Sequence, residues 1–275
     1  MYLYCYYDYP ELRSYNTELL KINNDDNDNL YLFASRNGHL EVMKYLEEKG
    51  LDIHLKNNEG YNAYLLASSE GHLEVMNHLE EIGLDIHLIN NDRQSAYLLA
   101  CWNGHLEVIK YLEKKELDIN IKDNNGQNAY LIASWYGHLD VMKYLEEIGL
   151  DIHLKDNDGD NAYLLAASEG HLKVMKYLEK KGFDIYIKNN YGNNAYFIAS
   201  YFEKKNVINY LEKKHINIFT KISTKSYLAI YNNVNYLKNK CINIHTKIND
   251  TVGKIKNYLR HVCSTRNNYN KIKTE

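Results

Sequence analysis

The feature that most constrains this 275-residue chain is a Gly-His-Leu motif that returns every 33 residues. The five copies begin at Gly38, Gly71, Gly104, Gly137 and Gly170. Valine and leucine follow each copy at fixed distances, as Val42 and Leu46 follow the first. A period of this length indicates supersecondary units that bury their apolar faces only by stacking on one another. The sequence therefore predicts a solenoid.

Each repeat is predicted to hold two short helices, and residues 62–94 illustrate the pattern. Asn62 is a typical N-cap, because its side-chain oxygen can accept a hydrogen bond from a free backbone N–H. Gly71 is expected to end the first helix, since glycine readily takes the left-handed conformation. Residues 73–82 place apolar side chains at helical spacing, which predicts a second amphipathic helix. A projecting turn rich in Asn and Asp leads into the next repeat.

These features resemble the ankyrin repeat, which also has a period of 33 residues and the hallmark T-P-L-H-x-A followed by G-H. The corresponding segment at 62–67 reads N-A-Y-L-L-A, and G-H-L-E-V-M-K-Y-L-E-E-K-G-L-D-I at 38–53 is close to family usage. The resemblance implies an all-α ankyrin-repeat solenoid of about seven repeats. The abundance of Asn, Lys, Ile and Tyr also makes the chain similar to ankyrin-repeat proteins of amoeba-infecting giant DNA viruses.

The repeat array is expected to cover residues 29–249. Its repeats are 29–61, 62–94, 95–127, 128–160, 161–193, 194–224 and 225–249. The sixth repeat has Glu203-Lys204-Lys205 in place of Gly-His-Leu. Residues 1–28 are predicted to form an N-terminal cap, and residues 250–275 a basic C-terminal cap and tail, because the ends of a solenoid need capping.

Charge divides the chain into an acidic body and a basic end. Residues 1–199 hold 18 Lys and Arg against 32 Asp and Glu, whereas residues 200–275 hold 15 against 4. No apolar run approaches the ~20 residues of a membrane span, and the first residues do not resemble a secretory signal. The four cysteines lack metal-site spacing and fit a reducing compartment. We expect an intracellular protein, in particular a cytoplasmic monomer that binds no membrane and needs no cofactor.

No motif indicates an enzyme or a metal site. The chain lacks the GxSxG, HExxH, Walker and GxGxxG patterns. The motif histidines should lie roughly 10 Å apart in stacked repeats, which is too far for shared metal coordination, so we expect them to make hydrogen bonds at the turns. They are His39, His72, His105, His138 and His171. The glutamate pairs of the second helices are predicted to form a solvated face. These pairs are Glu47-Glu48, Glu80-Glu81 and Glu146-Glu147.

Positions that differ between otherwise matching repeats are the candidates for a binding surface. At the end of the first helix they read Arg36-Asn37, Ser69-Glu70, Trp102-Asn103, Trp135-Tyr136, Ser168-Glu169 and Tyr201-Phe202. The ankyrin resemblance implies that these positions line a concave groove. We predict a protein-binding anchor there, because Trp and Tyr are enriched among interface hot spots. Its residues are Trp102, Asn103, Trp135, Tyr136, Tyr201 and Phe202. The opposing interpretation is that these aromatics only pack on neighbouring helices.

The projecting turns are predicted to supply a polar rim that sets specificity. Its residues are Tyr61, Asp92, Arg93, Asp158 and Asp160. Arg93 stands where the other turns have glycine, so this turn is predicted to be reshaped. The interpretation is a non-catalytic scaffold for a protein partner, which would be a host protein if the chain is viral. The alternatives are a ubiquitin-ligase substrate adaptor, or binding of nucleic acid or an acidic partner through the basic C-terminal end.

Overall fold

A computed structural model describes residues 29–115 and 117–219 of the chain. These residues contain twelve α-helices, a first and a second helix for each of six repeats. They are α1 Leu30–Arg36, α2 Leu40–Glu48, α3 Ala63–Glu70, α4 Leu73–Glu81, α5 Ala96–Asn103, α6 Leu106–Glu113, α7 Ala129–Tyr136, α8 Leu139–Glu147, α9 Ala162–Glu169, α10 Leu172–Lys180, α11 Ala195–Tyr201 and α12 Lys205–Phe219. The described part of the chain is an all-α repeat solenoid, as predicted.

Internal contacts divide the chain into two bodies, residues 1–211 and 212–275, and helices α1 to α11 belong to the first. Several predicted segments lie outside the described residues. They are the N-terminal cap at 1–28, the end of the sixth repeat at 220–224, the seventh repeat at 225–249 and the basic tail at 250–275. Their predicted roles stay predictions.

Each first helix begins at the capping residue that the sequence predicts. Asn62 Oδ1 accepts the backbone N–H of Leu65 at 2.8 Å, which satisfies one of the donors left free at a helix start. The same contact is made by Asn29, Ser95, Asn128, Asn161 and Asn194. Gly71 follows α3 in the left-handed conformation with φ 84°. Both ends of the helix are therefore fixed by residues local to it.

The first helices form the interior of the solenoid. In repeats one to five, each first helix packs against the second helix of its own repeat, and α1, α3, α5, α7, α9 and α11 pack against one another in order. Residues 63–68, 96–101 and 129–134 are consequently buried. In α3, α5 and α7, solvent reaches only the last two residues of the helix. The second helices bury one face, such as Val75, Met76 and Leu79 of α4, and each large side chain removed from water contributes about 2 kcal/mol.

An asparagine in each projecting turn links it to the turn before. The Asn91 backbone N–H donates to the Glu59 carbonyl at 3.0 Å, and Asn91 Nδ2 donates to the Asn58 carbonyl at 2.9 Å. Asn124, Asn157 and Asn190 repeat both contacts one repeat further on. This ladder joins successive turns by backbone and side-chain hydrogen bonds, and it gives a structural reason for the asparagine-rich turns.

The prediction that Arg93 reshapes its turn is wrong. The Arg93 backbone N–H donates to the Asn90 carbonyl at 3.1 Å, just as Gly60 donates to Asn57 at 3.0 Å in the preceding turn. Arg93 takes φ 61°, in the region that favours glycine. The turn keeps its form because the Asn90 side chain accepts two further backbone N–H groups of the same turn. Local hydrogen bonding thus outweighs the strain of a non-glycine residue.

The prediction that the glutamate pairs form a solvated face is wrong for the first member of each pair. Glu80 accepts hydrogen bonds from Tyr64 of its own repeat at 2.7 Å and from Tyr111 of the next repeat at 2.8 Å. Lys115 forms an ion pair with the same carboxylate at 2.6 Å, whereas Glu81 is exposed. Equivalent tyrosine–glutamate contacts are Tyr31–Glu47, Tyr144–Glu113, Tyr177–Glu146, Tyr163–Glu179 and Tyr210–Glu179. These carboxylates connect adjacent repeats.

Candidate functional site

Three of the predicted anchor residues come together on the surface of the solenoid. The Tyr136 ring stacks on Trp102 of the preceding repeat, with centroids 4.5 Å apart and planes inclined by 30°. It also lies 5.7 Å from the Trp135 ring of its own repeat. All three side chains are half-buried and rest on the hydrophobic core. We call Trp102, Trp135 and Tyr136 the aromatic cluster; it contains both tryptophans of the protein.

Motif histidines fix the backbone that carries the cluster. His138 Nε2 lies 2.9 Å from the Trp102 carbonyl oxygen, and His171 hydrogen-bonds the backbone of Trp135 in the same way. The imidazole passes so close to the preceding repeat that a Cβ on Gly104 would lie 2.5 Å from His138 Nδ1. The hydrogen bonding predicted for the motif histidines is confirmed for four of them, which are His72, His105, His138 and His171. It also joins each tryptophan to the next repeat.

Side chains of neighbouring repeats touch all along the ends of the first helices. Asn103 Nδ2 donates to the Ser69 carbonyl at 2.7 Å on one side of the cluster. On the other side, Trp135 Nε1 donates to Glu169 Oε1 at 3.3 Å, and Glu169 Oε2 pairs with Lys204 Nζ at 2.9 Å. We call residues 69–70, 102–103, 135–136 and 168–169 the helix-end row. Its contacts hold the cluster in one arrangement.

These contacts determine the protonation of Tyr136 and Glu169 in the helix-end row. Burial, and then the Glu169 charge, raises the pKa of Tyr136 to about 12, so its hydroxyl stays protonated at neutral pH. Burial alone would raise the pKa of Glu169, but hydrogen bonds from Lys204 and Trp135 hold it below its usual value. The carboxylate beside the cluster is therefore charged at neutral pH. The site combines flat apolar rings with a negative charge.

The remaining anchor residues are not part of the cluster and are more exposed than its members. Asn103 is exposed. Tyr201 and Phe202 belong to the sixth repeat, where their rings meet edge to face at 5.0 Å. They are 73% and 50% exposed, more than any member of the cluster. Their assignment to the binding surface stays a prediction.

The five predicted rim residues all lie in the projecting turns, but they differ in how far they are exposed to solvent. Asp92 and Arg93 are exposed, and the exposed Asp158 accepts a hydrogen bond from Tyr191 at 2.9 Å. Tyr61 is half-buried and donates its hydroxyl to Gln94 Oε1 at 3.3 Å. Asp160 is also half-buried, so only part of its surface is available to a partner. Their role in specificity stays a prediction.

Asp160 gives a pH-dependent test of the turn structure. Burial raises its pKa from 3.8 to about 6, more than a hydrogen bond from Asn189 lowers it. A carboxyl whose pKa is raised in the folded state loses stability as the pH climbs from 3.8 through 6. The full effect would be about 3 kcal/mol. Because the group is half-exposed, we expect Asp160→Asn to stabilise the fold by about 1 kcal/mol at pH 7.5.

The measurement is urea unfolding of wild type and variant at pH 7.5 and pH 4. The gain should disappear at pH 4, where Asp160 is protonated in the folded state. Asp92→Asn, at an exposed turn position, is the control and should change stability little at either pH. A gain from Asp160→Asn that is equal at both pH values would contradict the role of the buried charge.

Sequence reasoning missed the charged neighbours of the cluster, and it predicted hydrogen bonds for the motif histidines without identifying the tryptophan backbones as their partners. Glu70 and Glu169 stand at the same variable positions as the aromatics, and that register is the signal that could have identified them. No group of His, Cys, Asp and Glu within 29–115 and 117–219 is arranged to hold a metal ion. No helix in these residues is both long and apolar enough to cross a bilayer.

Paired short helices in a linear stack, with variable residues at the helix ends, define a helical repeat protein. The family model of ankyrin repeats, which spans three copies, matches residues 65–156 and 148–222. The chain belongs to the ankyrin-repeat family. No curated protein matches it. Ankyrin repeats are generally protein-interaction scaffolds and are typically non-catalytic.

Proposed function

We propose that this chain is a non-catalytic scaffold that binds a protein partner through the aromatic cluster and the projecting turns. The observation that carries the proposal is the position of the cluster. In α3, α5 and α7 the first helices are accessible only at their last two residues, and two of these three ends carry the aromatics. Grouped, partly exposed aromatic rings on a soluble fold are typical of interaction sites.

Contacts within the cluster are compatible with this function. Stacking of Trp102 on Tyr136, together with the Trp135–Glu169 hydrogen bond, restricts the rings before any partner arrives. A side chain that is already ordered loses less conformational entropy on binding, so preorganised rings bind more tightly than mobile ones. Each ring still presents part of its surface to solvent. The contacts therefore order the rings without removing them from solvent.

We place the partner in the cytoplasm, and it would be a host protein if the chain is of viral origin. The alternatives based on the basic end, a nucleic acid or acidic partner, depend on residues that extend into the undescribed segment 220–275. A ubiquitin-ligase docking role would also fall on that segment. No feature of the described residues favours these alternatives over the aromatic cluster.

Replacing both Trp102 and Trp135 by alanine is expected to weaken partner binding by roughly 2–4 kcal/mol. The reason is that hot-spot aromatics supply most of the apolar area buried at an interface. The partner is first captured from the native cells with the whole chain and identified by mass spectrometry. Titration calorimetry with the purified partner then compares wild type with the double variant.

Tyr186→Ala is the control for this experiment. Tyr186 is an exposed tyrosine outside the cluster, so its replacement should leave the affinity within a factor of about two. Circular dichroism should give similar melting curves for all three proteins. Unchanged affinity of the double variant would contradict the proposal. Unfolding of that variant would mean that the tryptophans are packing residues, and the proposal would fail.

A further inference from the structure

We propose that the partner segment is basic: an extended peptide with arginine or lysine side chains over the aromatic cluster and beside Glu70 and Glu169. The inference rests on the proposed function and adds the chemical class of the partner. It rests on the charged residues of the helix-end row, because the aromatic residues alone do not specify the chemical class of the partner.

The aromatic cluster has a carboxylate on either side along the helix-end row. The row reads Ser69-Glu70, Trp102-Asn103, Trp135-Tyr136 and Ser168-Glu169. The two charged residues of these four pairs are both acidic and occupy the two ends of the row. One repeat before the row, Arg36 stands at the position equivalent to Ser69. Glu70 is exposed, and no lysine or arginine of the described residues lies within ion-pair distance of it. A negative charge that is available to solvent therefore stands at the first end.

At the other end, Glu169 already holds a cation next to an indole ring. Its Oε2 pairs with Lys204 Nζ at 2.9 Å while its Oε1 accepts the hydrogen bond from Trp135. The Glu169 side chain is still 37% exposed. A cation from a partner can join Lys204 at this carboxylate or replace it. Arginine fits best, because its planar guanidinium can stack on an aromatic face and pair with a carboxylate at the same time.

The spacing of the carboxylates sets the length of the segment. Glu70 and Glu169 are three repeats apart, and packed helices lie about 9 Å from one another, which gives roughly 27 Å. An extended peptide advances about 3.3 Å per residue, so about nine residues cover this distance. Basic residues at both ends of such a segment would reach the two carboxylates. A third basic residue near its middle would lie over the aromatic rings.

The charge of the whole body favours the same class of partner. Residues 29–199 carry 16 Lys and Arg against 26 Asp and Glu. A net negative body attracts a basic segment at long range and repels an acidic one, which raises the association rate of the first and lowers that of the second. An apolar segment would gain nothing from either Glu70 or Glu169. The observations therefore favour a basic peptide over an apolar or acidic one.

The two tryptophans make the test direct, because both lie in the cluster and their fluorescence reports on this site alone. The probe is a nine-residue Gly-Ser peptide with arginine at positions one, five and nine. Matched peptides carry glutamine or glutamate at those positions. In low salt, the arginine peptide should change the fluorescence saturably, and the other two should not. An equal response to the glutamine peptide would overturn the proposal.

Variants separate the site from general attraction to an acidic protein. The Glu70→Gln and Glu169→Gln double variant should bind the arginine peptide about fivefold more weakly. The matched double variant Glu74→Gln and Glu81→Gln removes two exposed carboxylates of α4, and should stay within twofold of wild type. Lys204→Ala removes the competing cation and should strengthen binding about twofold. The proposal would be overturned if both double variants bound the arginine peptide equally weakly. It would also be overturned if Lys204→Ala bound this peptide more weakly than wild type does.

Failure of this inference is distinguishable from failure of the scaffold proposal. The captured partner is titrated against the Trp102→Ala and Trp135→Ala double variant and against the Glu70→Gln and Glu169→Gln double variant. If only the tryptophan variant loses affinity, the scaffold proposal stands and the basic class is wrong. If neither variant loses affinity, both proposals are wrong. Loss of affinity in both variants supports both.

Discussion

Replacing Gly71 by alanine is expected to lower the free energy of unfolding by about 3 kcal/mol. Gly71 has φ 84°, and an L side chain in the left-handed region costs about 1–2 kcal/mol. A Cβ at this position would also lie 2.7 Å from His105 Nδ1. The imidazole must then move away from its hydrogen bond to the Ser69 backbone, which costs about 1 kcal/mol more. Urea unfolding followed by circular dichroism measures the change.

Gly83 provides a matched control in the same repeat. It has φ 85°, but apart from its own chain neighbours no atom lies within 4 Å of the position that a Cβ would take. Gly83→Ala therefore carries the backbone strain alone and should cost about 1–2 kcal/mol. The excess cost of Gly71→Ala should also vanish in a His105→Ala background, because the colliding ring is gone. Equal effects of the two glycine substitutions in the wild-type background would contradict this account.

This contrast also separates what the sequence can predict from what it cannot. The cap at Asn62 and the helix end at Gly71 are predictable because they depend on backbone groups within a few residues. The same reasoning applies to the five repeats that keep this glycine, so the 33-residue period and their helix pairs follow from the sequence. The contact between Gly71 and His105 joins residues 34 positions apart. It depends on the stacking geometry of two repeats, which the sequence pattern does not contain.

For the candidate site, too, the residues were predictable but their contacts across repeats were not. Comparison between repeats identified Trp102, Trp135 and Tyr136, because a position that varies within a regular array has no common structural role. It could not predict that Tyr136 stacks on Trp102, since this depends on side-chain directions in two repeats. The prediction for the turn at Arg93 was wrong for a related reason. Glycine preference is a local rule, and the hydrogen bonds accepted by the Asn90 side chain outweigh it.

The glutamates of the second helices show where helical periodicity misleads. A polar residue on the outer face of an amphipathic helix normally meets solvent, and Glu81 does. Glu80 instead meets the hydroxyls of Tyr64 and Tyr111. The signal in the sequence was the tyrosine that returns at fixed positions in both helices, since a buried or half-buried phenol needs an acceptor. Only the stacked structure identifies that acceptor as a carboxylate of the neighbouring repeat.

Glu80→Ala is accordingly expected to destabilise the fold by about 3 kcal/mol. The substitution leaves Tyr64, Tyr111 and Lys115 without the carboxylate that accepts their hydrogen bonds. Donors left unsatisfied in buried or half-buried places cost about 1–3 kcal/mol each, less where water can replace the partner. Glu81→Ala changes an exposed residue of the same helix turn and should stay within about 0.5 kcal/mol of wild type. Urea unfolding at pH 7 compares the three proteins.

The pH dependence of this difference tests whether the Glu80 charge is responsible. Burial raises the pKa of Glu80, but hydrogen bonds from Lys115, Tyr64 and Tyr111 outweigh it and hold the pKa below 4.5. Such a carboxylate stabilises the fold fully above pH 4.5, and this contribution is lost as the pH falls through the lowered pKa. The advantage of wild type over Glu80→Ala should therefore be complete at pH 7 and shrink below pH 4.5. An advantage that stays constant or grows toward pH 3 would show that Glu80 acts by packing, because only its charged form accepts all three hydrogen bonds.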